Sequence, residues 1–401
     1  MTMDSELSLT EGHKRFIEAA NEAAAIILSR DDADETSLAE GYIYLAGMWI
    51  FHLERVFKSY DVNHPCFVRD MDGFRTWGLP APDHHYYSAQ IDGEGVYKIS
   101  GNRGSVVDLC FEVLSGLVGD DAEVGERVSA TEMKDIICDE EGYFEIIVGG
   151  LKQDQNWLAL SKSARCIFVR QTVDDWKNVR PYPLLIQRID IDSARLPEKR
   201  YQRGAVAKLF DQAARNMLNQ VRFLNEFCLQ WQRILPINEL PQPTVGPADA
   251  GYFPGQFNTK CQFILEKRQA LVITMPTSSA KYESLSLAHP QWFNSINPRL
   301  VQSSINRNQA VLSQDGLYRY VISPVDPGVP NWLDTSGLLT GFLFIRYQRA
   351  DPTQAPMKPS IKLVLLEDLK LGSPGDHTDT NQGSILEATN QRAHGMDRRY
   401  F

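Results

Sequence analysis

The run of residues best suited to moving protons is "WGLPAPDHHYYSAQID", which carries Trp77, Asp83, His84, His85, Tyr86, Tyr87, Ser88 and Asp92. Histidine titrates near neutral pH, and a histidine and a tyrosine on one face of a strand suit general acid–base catalysis. His84, His85 and Tyr86 are therefore the catalytic candidates, with Trp77 as a ligand contact. Arg103, in "GNRGS", follows the next strand and is a candidate to hold an anion or a developing enolate or phenolate. The competing reading is a polar strand edge whose tyrosines pack across a sheet. A second polar run, "SLAHPQWFNSINPRLVQSSIN" (286–306), has the composition of a loop lining a cleft, and His289 before Pro290 reads as a turn residue.

Other chemistries lack their signatures. The eight histidines are scattered except for His84 and His85, and neighbours on a strand point to opposite faces, so no metal site is expected. "GNRGSV" and "GGLKQD" are not phosphate loops, no GxGxxG opens a helix, and no GxSxG nucleophile elbow occurs. No organic cofactor is expected either. The six cysteines form no CxxC pair and read as reduced, mostly buried thiols of a cytoplasmic protein. A net charge of −10, without a block of basic residues, argues against nucleic acid and anionic membrane as partners. The first residues do not resemble a secretory signal, and no apolar run approaches the ~18 residues of a membrane span.

The elements that must position these residues follow from periodicity. Of 401 residues, 43% are hydrophobic, enough for a substantial core in two domains or one elaborated one. Residues 9–60 read as two helices. Phe16, Ile17, Ala20, Ala24 and Ile27 form one stripe, and Ser37 with Glu40 matches a capping box ahead of a second apolar face. His52 falls on that face and reads as a satisfied core histidine. "VYKIS", "YFEIIVGG", "CIFVRQTV" and "PLLIQRIDI" read as strands. A helix over 203–234 holds its apolar period from Val206 to Trp231, and the Pro-rich "LPINELPQPTVGP" follows it. "CQFILE", "ALVITMP", "LYRYVIS", "GFLFIRYQ" and "IKLVLLEDL" read as further strands. The tail after 370 is polar and Gly-rich and reads as loose or draped over the surface.

Two segments echo each other. Residues 139–176 and 313–352 each show an acid-Gly turn, a strand, a loop, Asn-Trp-Leu and a strand carrying an arginine. Gly142 to Trp157 spans 15 residues and Gly316 to Trp332 spans 16; Trp157 to Arg170 spans 13 and Trp332 to Arg346 spans 14. This pattern reads as one unit used twice: an antiparallel pair with a long loop, whose tryptophan folds back as an anchor. Each arginine has an aspartate a few residues on, Asp174 or Asp351, as an ordinary partner. Arg170, Arg346, Asn331 and Trp332 are nonetheless binding candidates, because two matching arginines could face one cleft.

The stretch "LSQDGLYRYVISPVDPGVPNWLDTSGLLTGFLFIRYQ" resembles the signature of domain-of-unknown-function family 1214, which is often found with family 1254. "PDHHYYSAQIDGEGVYKISGNRGSV" resembles it too, with Ala81-Pro82 where the family shows Asn-Pro. The resemblance spans about 40–350 in pieces. It implies an antiparallel jelly-roll sandwich with added helices, in a family found in bacteria that degrade aromatic and steroid-like compounds.

The sequence thus predicts an α+β, mainly β chain: an antiparallel jelly-roll-type β-sandwich built from two similar β units, with an N-terminal helical pair and a long central amphipathic helix. The expected segments are 1–61 (helical), 62–195 (first β unit), 196–247 (central helix and linker), 248–370 (second β unit) and 371–401 (polar tail). The expected function is a cofactor-independent lyase, hydrolase or isomerase, acting on a small aromatic or alicyclic compound in bacterial catabolism. The substrate would lie between the units, under the N-terminal helices. One alternative is a non-catalytic small-molecule or carbohydrate binder with Trp77, Trp292 and Trp332 exposed as stacking platforms. The other is an oligomeric scaffold, a homo-oligomer with 203–234 as its dimer face.

Overall fold

The computed structural model describes residues 7–120, 125–175, 177–178, 182–191, 201–246, 252, 255–369 and 382–398. Helix α1 (Leu9–Leu28) opens on Ser8, whose side chain accepts from the Glu11 amide, and buries Phe16, Ala20, Ala23 and Ile27. Helix α2 (Glu35–Lys58) is capped by Asp34, which accepts from the Ser37 amide. The expected Ser37 cap is thus one turn too late, because the aspartate reaches that free amide first. His52 is buried on α2 against Gln220 Oε1 at 2.6 Å, and burial pushes its pKa down to about 3, so it is a neutral core histidine.

The first β unit contains β1 (Val68–Arg69), β2 (His84–Gln90), β3 (Tyr97–Asn102), β4 (Asp108–Leu114), β5 (Arg127–Glu132), β6 (Tyr143–Val148), β7 (Trp157–Leu158), β8 (Cys166–Thr172) and β9 (Leu185–Arg188). Helix α3 (Arg203–Ile234) occupies the predicted range. The second unit contains β10 (Thr244–Val245), β11 (Phe257–Ile264), β12 (Gln269–Pro276), β13 (Tyr282–Ala288), β14 (Ser304–Asn306), β15 (Leu317–Ser323), β16 (Trp332–Asp334), β17 (Thr340–Gln348) and β18 (Ser360–Leu365). Two further helices follow, the single turn α4 (Leu366–Leu369) and α5 (Gln382–Arg398).

The two units repeat each other strand for strand. The first forms sheets ordered β1-β2-β8-β4-β5 and β7-β6-β3-β9; the second forms β10-β11-β17-β13-β14 and β16-β15-β12-β18. Local devices repeat as well. Gly142 and Gly316 turn at φ 83° and 80°, where a side chain would be strained. Asn156 and Asn331 sit at φ 48° and 57°. Each bonds the backbone of an upstream residue on both its amide and its carbonyl, Ile137 for the first and Val311 for the second. Trp157 Nε1 donates to Gly149 O and Trp332 Nε1 to Ser323 O, so both indoles anchor a loop.

The unit is not an antiparallel pair, however. β7 pairs parallel to β6, and β16 parallel to β15, and the chain then crosses to the opposite sheet for β8 and β17. Sequence spacing cannot distinguish a hairpin from a crossing between two layers. Within each unit the sheets enclose a core, around Ile99, Phe111, Phe144 and Val169 in the first and Ile273, Leu285, Ile322 and Ile345 in the second. A third core joins α1, α2 and α3 to the outer faces of the two five-stranded sheets, through Phe168, Trp231, Trp292, Phe342 and Phe344. Gly12 lets α1 touch α3, since a Cβ there would lie 2.5 Å from Ala207 O.

The tail is not loose throughout. On α5, Met396 is buried and Arg392 reaches Gln302 and Ser304, while Arg299 pairs with Asp397. Residues 371–381 lie outside the described residues. Among the described residues no helix is long and apolar enough to cross a membrane.

Candidate functional site

The five-stranded sheets of the two units meet beside α3, and a cavity of about 210 Å³ lies between them. Phe223, Phe227 and Trp231 of α3 cover it, together with Trp77 to Pro80 and Leu117. Its cover is the central helix, not the N-terminal pair, and the same residues pack α3 against the two sheets. His84, Tyr86, Arg170, Arg346 and Trp77 all line this cavity.

Strand β2 sorts the polar cluster by alternation. His84, Tyr86 and Ser88 face α3 and the joint, while His85 and Tyr87 face the interior of the first sandwich. His85 Nδ1 lies 3.4 Å from the Tyr87 hydroxyl on that other face, so His85 is not in the site. Arg103 is exposed at the turn after β3, its amide donating to Gly142 O, and is also outside the site. Asn331 and Trp332 lie in the second unit's four-stranded sheet, away from the joint, where they hold the loop described above. The 286–306 run packs on α2 and contributes only Phe293 to the cavity wall. There His289 stacks on Trp292 and reaches Glu40 Oε2 at 3.0 Å. Trp77 and Trp292 are buried and Trp332 is half-buried, so the three do not form an exposed stacking platform.

The hydrogen bonds around His84 run in one direction across the joint. The Gln348 amide accepts from the Thr172 hydroxyl (3.2 Å) and donates to Gln256 Oε1 (3.1 Å) and to His84 Nε2 (2.9 Å). An acceptor at Nε2 leaves the imidazole hydrogen on Nδ1, 3.1 Å from the Tyr86 hydroxyl oxygen. That oxygen also accepts from the Ala81 amide at 3.0 Å. With both acceptor positions engaged, the Tyr86 hydroxyl is left as a donor toward the cavity. Burial raises its pKa, and the charges of Arg346 and Arg170 work against that rise.

The repeated arginines differ in one respect. Arg170 and Arg346 occupy matching positions on β8 and β17, stacked over Phe168 (4.9 Å) and Phe344 (4.2 Å). Opposite Phe168, β4 places Glu112, which pairs with Arg170 at 2.8 Å and with Arg127 at 2.6 Å. Opposite Phe344, β13 places Ser286, which only accepts a hydrogen bond from Arg346 at 2.6 Å. Arg346 also donates to Leu79 O, and among the described residues it forms no ion pair. Burial pulls its pKa below the ordinary arginine value, while Tyr86, Tyr282 and Tyr252 work against that fall and Arg170 adds to it. Asp174 and Asp351, expected as partners, serve neither arginine: Asp174 bonds Asn308 and Asp351 bonds Thr353.

Sequence reasoning missed Glu112, Arg127, Gln256, Gln348 and Lys260. Lys260 holds its ammonium 4.7 Å from the Trp231 ring and 4.9 Å from the Tyr252 ring. Burial, with Arg346 nearby, pushes its pKa down to about 8. The available signal was a charged residue inside an apolar strand, "DLCFEVL" for Glu112 and "FNTKCQFI" for Lys260.

No family model and no curated protein matches the chain. An uncharacterised protein from Burkholderia cenocepacia superposes with a TM-score of 0.81 at 24% identity, over 89% of this chain and 98% of that one. The two chains share a fold. A Vibrio parahaemolyticus protein aligns over 87% of this chain and 100% of its own, at 10% identity and a TM-score of 0.44.

Proposed function

We propose that the chain is a cofactor-independent enzyme that moves a proton on a small, largely apolar ring compound held between its two β units. The observation that carries this reading is the ordered Gln348–His84–Tyr86 relay, which presents a phenol hydrogen to a largely apolar cavity at the joint. A void of 210 Å³ exceeds the roughly 150 Å³ that admits benzene, so one ring with a small substituent fits. Water takes the proton from a C–H beside the ring's carbonyl while Tyr86 gives its own proton to the oxygen of the developing enolate. The phenolate left behind is held by the His84 Nδ1–H and the Ala81 N–H, with Arg346 and Arg170 opposite its charge, and it takes a proton back as base. Isomerase, lyase and hydrolase chemistry all contain such a step. Six free thiols fit a reducing compartment such as the cytoplasm.

The test is solvent exchange. Incubated in D2O with single-ring ketones, enones and carboxylates, the protein is expected to transform one of them or to wash deuterium into a C–H next to its carbonyl. If compounds raise the melting temperature with neither product nor exchange, the cavity is a binding site without chemistry and the enzyme reading falls.

A further inference from the structure

We infer that the ligand of this cavity is a monoanion, a single-ring or alicyclic carboxylate whose two oxygens sit on the guanidinium of Arg346. The inference rests on reading the cavity as a ligand site and goes further by fixing the ligand's charge. The two β units are an internal comparison. Where the first unit meets its Phe-x-Arg motif with Glu112, the second meets it with Ser286, so one of two equivalent buried arginines has lost its counter-charge. A cation only 6% exposed is costly to bury without an anion. The wall adds Arg170 and Arg127 against the single Glu112, so the cavity carries excess positive charge.

The number of donors favours a carboxylate over a phosphate. Two of the five Arg346 N–H groups are engaged, by Ser286 and Leu79, and the three that remain are enough for the two oxygens of a carboxylate. The rest of the wall is largely aromatic and aliphatic, which suits a ring and offers little to a second or third anionic oxygen.

The experiment is calorimetric titration of the full chain with cyclohexanecarboxylate and with its neutral isostere, cyclohexanecarboxamide. The carboxylate is expected to bind about tenfold or more tightly than the amide, as a charge-assisted pair should. Arg346→Met should abolish that preference. Because this variant removes a buried side chain, Ser286→Glu provides the second arm: it copies the first unit's carboxylate into the second and should keep cooperative unfolding while losing the preference. Equal binding of amide and carboxylate by the parent chain would overturn the anionic ligand and leave the enzyme reading standing. Failure of both compounds to bind would overturn the cavity as a ligand site and the enzyme reading with it.

Discussion

Tyr86→Phe is expected to slow turnover by about 10²–10⁴-fold, the usual contribution of a positioned acid or base. The argument is directional. Every other hydrogen in the relay is committed, from Thr172 through Gln348 to His84, and only the phenol hydrogen is left for the cavity. Phenylalanine keeps the ring that stacks on Phe168, 6.0 Å between centroids, and removes one atom. It also leaves the Ala81 N–H without its acceptor, so a stability loss of about 1–3 kcal/mol should accompany the change. Loss of turnover must therefore be read on protein shown to be folded. His85→Gln supplies the contrast, since that side chain lies on the far face of β2, and it should leave turnover little changed. Equal losses in both variants would mean that the polar cluster acts through stability, not through a proton.

Arg349→Met should cost about 3–5 kcal/mol of stability, the range for stripping one partner from a buried ion pair. Arg349 belongs to the second unit and reaches across the joint to Asp108 of the first, at 2.8 Å, and to Glu132. The Asp108 side chain is 1% exposed, and burial pushes its carboxyl up to about 6 even with Arg349 beside it. A folded pKa above the unfolded one means that this carboxyl favours the folded state at low pH. That contribution is lost as the pH rises through about 6. Without Arg349 the carboxyl loses a charge that lowers its pKa, so the deficit of the variant should be large at pH 8 and much smaller near pH 4. Urea unfolding at the two pH values measures this. A deficit that does not change with pH would assign the loss to packing and not to an uncompensated carboxylate at the joint.

Much of the architecture was legible because apolar residues keep strict periods. Helix α3 runs over the predicted residues because Val206, Leu209, Ala213, Met217, Val221 and Leu224 recur at helical spacing with no breaker among them. The repeat was legible in Asn156-Trp157 and Asn331-Trp332, whose left-handed asparagine and anchored indole recur in space as in sequence.

The site was only half legible, for physical reasons. β2 is buried almost throughout, so "HHYYSAQ" shows no polar–apolar alternation to say which face is which; in "YESLSLA" the serines and leucines do alternate, with Leu285 and Leu287 in the sandwich core and Ser286 on Arg346. Alternation separates His84 from His85 without saying which of them meets the other unit. The partners of Arg170 and Arg346 come from cross-strand register, Glu112 in one unit and Ser286 in the other. Residues about 60 apart in sequence decide the charge of the cavity. Aspartates close in sequence were therefore the wrong place to look.

The most direct test is a crystal structure of the chain with cyclohexanecarboxylate. The predicted result is the ring against Phe227 and Trp231, the carboxylate on Arg346, and the Tyr86 hydroxyl within hydrogen-bond reach of the ligand. A ligand-free joint with the compound bound elsewhere, or a ring seated with its carboxylate turned away from Arg346, would contradict the account.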